Sequence, residues 1–198
     1  MENIVLASGS TTRQKILTDA GIPFELKVAQ IDENEIKDAL LQEGAEAPLI
    51  AETLAELKAR SVSRRLPECL VVGADQVLGC GKKIYSKPEN LGAAREQLIS
   101  LRGKEHYLTS SVVVSQNGER AWHHNDTALL QMRNFSDGFL DTYISKERAG
   151  LLDSPGCYRV EGPGIQLFSR IDGNFFTILG LPLLPLLDYL RLRGGVAE

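Results

Sequence analysis

The chain has 198 residues, 43% hydrophobic and 24% charged, with a net charge of −4. This balance excludes a disordered, collagen-like or coiled-coil chain, and the scatter of basic residues argues against broad nucleic-acid binding. The simplest reading is one domain over residues 1–198, in two lobes, burying roughly 70% of the surface its unfolded form exposes.

The N-terminus has neither the basic region nor the apolar core of a signal peptide. It leads into the apolar run Ile4–Ala7, then Ser8-Gly9-Ser10-Thr11-Thr12-Arg13 and a helix expected from about Thr12 to Ala20, closed by Gly21. Amides at a helix start, hydroxyls around them and an arginine together suit a phosphate. The alternatives are helix-capping hydroxyls and a solvated Arg13. A strand over Phe24–Val28 and an acidic turn, Asp32-Glu33-Asn34-Glu35, follow. Pro48 opens a long amphipathic helix to Arg65 with Ile50, Leu54, Leu57 and Val62 apolar. Lys58 borders that apolar face without an acidic partner at helical spacing, which reads as snorkelling.

The strand Leu70-Val71-Val72-Gly73-Ala74-Asp75-Gln76-Val77 narrows to two small residues and delivers an aspartate at its carboxyl end. In open α/β sheets, ligands sit beyond such ends, and Gly73 and Ala74 permit close approach. A turn aspartate is the alternative. Further on come a Gly79/Gly81 turn, a helix over about Leu91–Arg102, and two long strands joined at Asn117-Gly118, a hairpin signal. A helix capped by Ser136 is next. The loop Gly156–Gly164 looks built to approach something closely; a strand over Ile165–Ile171 and a last helix over Leu183–Leu192 complete the chain. Pro182, Pro185 and Asp188 break its richest apolar stretch, so no membrane span and a cytoplasmic protein are expected.

Cys69, Cys80 and Cys157 lack metal-ligand spacing and read as reduced thiols. The three histidines, His106, His123 and His124, give no basis for histidine chemistry. A P-loop, a nucleophile elbow and His-Glu-x-x-His are all missing. Carboxylates, basic residues and hydroxyls remain, the parts for metal-assisted hydrolysis of a phosphoanhydride.

Leu6-Ala7-Ser8-x-Ser10-x-x-Arg13, Asp32-Glu33, Lys58, Gly73-Ala74-Asp75, Lys87-Pro88, Gly103-x-x-His106, Glu161-Gly162 with Gly164, and Gly180-Leu181-Pro182 together resemble the Maf nucleoside triphosphate pyrophosphatases over nearly the whole chain. The resemblance implies a two-lobed α/β fold, a mixed sheet with a central cleft related to the inosine triphosphate pyrophosphatases, and a homodimer. It implies cleavage of a nucleoside triphosphate between the α- and β-phosphates with Mg²⁺ or Mn²⁺. By the same resemblance Asp75 is the proton acceptor, and Glu33 and Asp75 hold the metal. Ser8, Arg13, Lys58 and Lys87 hold the triphosphate.

Base choice in the family runs through positions occupied here by Thr12, Gln76 and Glu161. Gln76 and Glu161 resemble the 7-methyl-GTP branch; Thr12 matches neither that branch nor the one acting on dTTP and UTP. A carboxylate at position 161 suits the donor edge of guanine, and its position between Val160 and Gly162 implies a partner if buried. Two rivals stand beside this reading: a non-catalytic nucleotide-sensing or cell-division inhibitory protein, and a phosphatase releasing orthophosphate.

Overall fold

The structure is a computed structural model that describes residues 2–197, apart from the side chain of Ala149. Among these residues, seven strands form one mixed sheet in the order β2-β1-β3-β5-β6-β7, with β4 paired to β3. The strands are β1 (Ile4–Leu6), β2 (Glu25–Leu26), β3 (Leu70–Cys80), β4 (Lys83–Tyr85), β5 (Glu105–Gln116), β6 (Glu119–Met132) and β7 (Phe168–Asp172). Seven helices accompany them: α1 (Thr11–Asp19), α2 (Glu33–Gln42), α3 (Ala47–Ser63), α4 (Leu91–Leu101), α5 (Asp137–Glu147), α6 (Phe175–Ile178) and α7 (Leu183–Leu192). The α/β class read from the sequence is the one observed, and none of the helices is long and apolar enough to cross a membrane.

The chain divides into two compact units. The first comprises Met1–Gln76, Thr109–Asp126 and Asn174–Glu198. Here β1 pairs in parallel with both β2 and β3. Residue parity assigns the two faces of these strands. Ile4, Leu6, Leu70, Val72, Ala74, Val112 and Val114 pack with Ile16 and Leu17 of α1 and Leu186 and Leu190 of α7. Val5, Ala7, Val71 and Val113 pack with Ala55, Ala59 and Val62 of α3. Strands covered on both faces read as continuous apolar runs, which is why β1 and β3 stand out in the sequence.

The second unit comprises Val77–Leu108 and Thr127–Gly173. In it β3 turns at Gly81 into β4, and β6 pairs antiparallel with β7 through an irregularity at Gln131/Met132. Arg95 of α4 and Arg102, just after that helix, reach Asp141 and Asp137 of α5. His106, Tyr158 and Phe168 form an aromatic cluster whose His106 Nε2 lies 2.7 Å from the Tyr158 hydroxyl.

Several expected elements are corrected. Asp75 is not at the end of its strand, because the apolar sequence continues and β3 runs on to Cys80. It lies instead just past the parallel part of the sheet, whose pairing with β1 ends at Leu6 and Val72. The acidic turn at 32–35 is the start of α2, with the Asp32 side chain accepting from the Glu35 amide. The strand expected over Phe24–Val28 shortens to Glu25–Leu26. The stretch from Pro163 to Leu167 is a 3-10 turn, and β7 begins only at Phe168. Leu57 on α3 is exposed rather than core. Two glycines of the 156–164 loop are required by the loop itself: a Cβ at Gly164 would strike the Arg159 backbone, and one at Gly156 the Tyr158 ring. The free cysteines agree with the expectation of thiols; burial pushes the Cys157 thiol up to about 12, so it is chemically quiet at neutral pH.

Candidate active site

Gly73 sets the distance between β3 and α3. A Cβ there would meet the Ala55 carbonyl, and would stand 2.7 Å from the Ala59 amide and 2.9 Å from the Ala59 Cβ. With only hydrogen at this position the strand lies directly on the helix. Lys58 on α3 and Asp75, two residues along β3 from Gly73, are thereby brought together. Lys58 Nζ is 2.7 Å from Asp75 Oδ1 and 2.8 Å from Glu33 Oε2. Lys58 and Asp75 are buried, whereas the Glu33 side chain is half exposed. Lys58 is therefore not snorkelling. Its partners lie 25 residues upstream and 17 downstream, so helical spacing could not reveal them.

Glu33 occupies the first turn of α2, and Lys37 follows one turn later on the same helix face. Burial lowers the Lys37 pKa, and the charges of Asp75 and Asp38 pull it back up. The field of Asp75 thus reaches a second lysine, one that the sequence did not single out.

Ser8 and Arg13 form the other half of the arrangement. Ser10 caps α1 by accepting from the Arg13 amide at 3.4 Å, while Ser8 Oγ accepts from the Ser10 amide at 3.3 Å and from Arg13 Nη1 at 3.1 Å. The capping alternative is correct for Ser10. The first-turn amides of Thr11 and Thr12 have no intrahelical acceptor. Arg13 is buried rather than solvated: Nε donates to the Gly180 carbonyl at 2.7 Å and Nη1 to the Ala74 carbonyl at 2.8 Å. Burial lowers its pKa, and the charges of Asp75 and Glu33 oppose the shift; an arginine so placed stays cationic. Among the described residues Nη2 makes no hydrogen bond within the fold, which leaves its two N–H groups for an anion.

Gln76, next along β3, donates from Nε2 toward Ser110 Oγ (3.1 Å), the Thr177 carbonyl (3.0 Å) and the Ile178 carbonyl (2.9 Å). Thr12 is half-buried on α1. Lys87 and Glu161 belong to the second unit. Lys87 is exposed after β4. The Glu161 side chain is 28% exposed and lies 3.2 Å from Arg159 Nε, the partner that its partial burial requires.

The carboxylates of Glu33 and Asp75 both lie against Lys58 Nζ. Two hard oxygen donors beside a triphosphate are the usual protein share of a Mg²⁺ or Mn²⁺ site, the phosphates supplying further ligands. Among the described residues no group of three or more His, Cys, Asp or Glu could hold a metal without such help.

The chain matches the family described as Maf-like protein over residues 3–193. It belongs to the Maf-like family. A nucleoside triphosphate pyrophosphatase of Paramagnetospirillum magneticum is 50% identical over 190 residues, 96% of this chain and 98% of that one. One from Granulibacter bethesdensis is 48% identical over 188 residues, 95% of each chain. A 7-methyl-GTP pyrophosphatase of Rhizobium meliloti is 44% identical over 193 residues, 98% of this chain and 97% of that one. The Maf-like pattern in the sequence thus has full-length support, and the first unit of the fold gathers Ser8 with Arg13, and Glu33 with Lys58 and Asp75.

Proposed function

We propose that this chain is a nucleoside triphosphate pyrophosphatase that cleaves the α–β phosphoanhydride to a monophosphate and pyrophosphate. The observation that carries the reading is the buried Asp75 carboxylate bonded to Lys58 beside Glu33, two residues after the strand lies directly on α3. Full-length relatives named nucleoside triphosphate pyrophosphatase support the same reading.

Arg13 Nη2 and the first-turn amides of α1 bind phosphate oxygens, where the helix dipole also favours an anion. Asp75 takes a proton from the attacking water. The water oxygen bonds to the α-phosphorus as the bond from that phosphorus to the bridging oxygen breaks, and pyrophosphate leaves. Lys58 holds Asp75 in place and offsets negative charge developing on the phosphoryl oxygens. Glu33 and Asp75 would hold a Mg²⁺ or Mn²⁺ ion, which when bound neutralises phosphate charge and polarises the scissile group. The roles of Lys87 and Glu161 rest on the family pattern, as does the homodimer; the cytoplasmic setting rests on the sequence reading.

For the base, a purine such as 7-methyl-GTP is favoured. Gln76 carries the amide of that branch, and relatives bearing that name align over almost the full chain. A nucleotide panel assayed separately for pyrophosphate and orthophosphate tests the reading. Pyrophosphate release from at least one triphosphate is the expected result; orthophosphate release, or no turnover across the panel, contradicts it.

A further inference from the structure

The segment from Asn174 to Gly180 has no part in the chemistry above, yet its backbone holds two of the side chains beside Asp75. Asn174 caps the single-turn helix α6 through the Phe176 amide at 2.9 Å. The carbonyls at the end of so short a helix have few acceptable partners within it. Here those of Thr177 and Ile178 accept from Gln76 Nε2, and that of Gly180 accepts from Arg13 Nε. One turn therefore seats an arginine on the phosphate side and a glutamine on the base side.

The orientation of the Gln76 amide follows from these contacts. A backbone carbonyl can only accept, so two of them against the same end of the amide force Nε2 toward the turn. Ser110 Oγ donates to the Thr177 carbonyl at 2.7 Å and lies 3.1 Å from Gln76 Nε2, whose two hydrogens are shared among the three oxygens. The remaining atom, Oε1, is an acceptor, suited to a base edge that presents N–H groups.

The turn is itself braced. Thr177 is fully buried, and its Oγ1 donates to Asp126 Oδ2 at 2.5 Å, the length of a charge-assisted bond. Gly180 adopts φ +95°, and a Cβ there would stand 3.4 Å from Arg13 Nη2 and 3.7 Å from the Gln76 amide carbon. The left-handed backbone and the close approach to both side chains thus meet at one glycine.

We propose that Thr177 is a positioning residue: held by Asp126, it fixes the turn whose carbonyls seat Arg13 and lock Gln76 with Oε1 as the amide atom left for the base. The kinetic part of this proposal rests on the pyrophosphatase reading; the lock on Gln76 does not. The test uses the full chain with Thr177→Val, which removes the hydroxyl at nearly constant volume, and Thr177→Ser, which restores it. Two quantities are read: hydrogen exchange of the assigned Gln76 side-chain amide by NMR, and KM, kcat and the ratio of kcat/KM for 7-methyl-GTP over UTP. In Thr177→Val, exchange accelerates at least about tenfold, KM rises about 3-fold to 10-fold with kcat within about twofold, and the purine preference narrows. Thr177→Ser returns each value to wild type. Wild-type amide protection in a folded Thr177→Val, or a Thr177→Ser as impaired as the valine variant, overturns the proposal. Should Thr177→Val fail to fold, Asp126→Ala removes the same bond from its other end and carries the same two readouts. A wild-type protein that hydrolyses no nucleotide removes the pyrophosphatase reading, and the amide exchange still decides whether Thr177 locks Gln76.

Discussion

Lys58 Nζ and Asp75 Oδ1 stand 2.7 Å apart with both side chains nearly out of water, at 7% and 11% exposure. A buried ion pair of this kind is weak evidence for net stability, because desolvating both charges offsets much of their attraction. Removing one partner is another matter. Lys58→Met leaves the Asp75 carboxylate buried with its main counter-charge gone, and stability should fall by about 3 to 5 kcal/mol. Lys58→Met combined with Asp75→Leu should recover most of that loss while remaining inactive. Urea unfolding of the three proteins checks this; a double variant no more stable than Lys58→Met contradicts it.

Asp75→Asn keeps the shape of the side chain and an oxygen for Lys58. Turnover should drop about 10²-fold to 10⁴-fold, the range for one acid–base group, in a protein whose circular dichroism is unchanged. Near-wild-type turnover would assign Asp75 a purely structural role.

Asp75 was legible because a strand packed on both faces writes a continuous apolar run that an acid interrupts. Its place within β3 was misread for the same reason: Val77 and Leu78 prolong the run beyond it, and the strand follows them. Lys58 was legible only through the family pattern, since both partners come from other elements. The helix α2 carried a local signal, Asp32 followed by Glu35 at capping-box spacing, but its charge-rich first turn reads equally well as a loop. Of the Thr177–Gly180 turn only Gly180 stands out in the sequence, because the turn acts through backbone carbonyls, which any residue supplies.

Gly73→Ala places a methyl group against the Ala55 carbonyl and the Ala59 amide. Backbone atoms cannot give way as a flexible side chain does, so β3 and α3 must separate. A loss of about 3 kcal/mol or more is expected, at the upper end of overpacking costs. The separation should also lower kcat by lengthening the Lys58–Asp75 contact. A Gly73→Ala protein as stable as wild type would show that the two elements are not in close contact.

His106 gives the second unit a pH response. Burial holds its pKa down to about 4 from 6.5, with a hydrogen bond to the Lys104 backbone pulling upward, although among the described residues Nδ1 has no partner of good hydrogen-bond geometry. The unfolded chain therefore takes up the proton first as pH falls. Stability is full above about 6.5, declines toward about 4 and levels off below, by on the order of 3 kcal/mol in all. His106→Phe should flatten this part of the stability profile measured by denaturant midpoints. An equal slope in variant and wild type would exclude His106 as its source.

Thr12 leaves position 12 without an aromatic surface. Thr12→Trp should raise the preference for 7-methyl-GTP over GTP about tenfold, because a cationic methylated base gains a stacking partner worth roughly 1 to 3 kcal/mol. Competition kinetics with the two nucleotides checks it, and an unchanged ratio would mean that residue 12 does not face the base.

The most direct test of the account is phosphorus NMR of the initial products formed from the preferred triphosphate with Mg²⁺ or Mn²⁺. Monophosphate and pyrophosphate should appear together in equal amounts, and Asp75→Asn should slow the formation of both by about 10²-fold to 10⁴-fold. Diphosphate with orthophosphate as the first products would contradict the account.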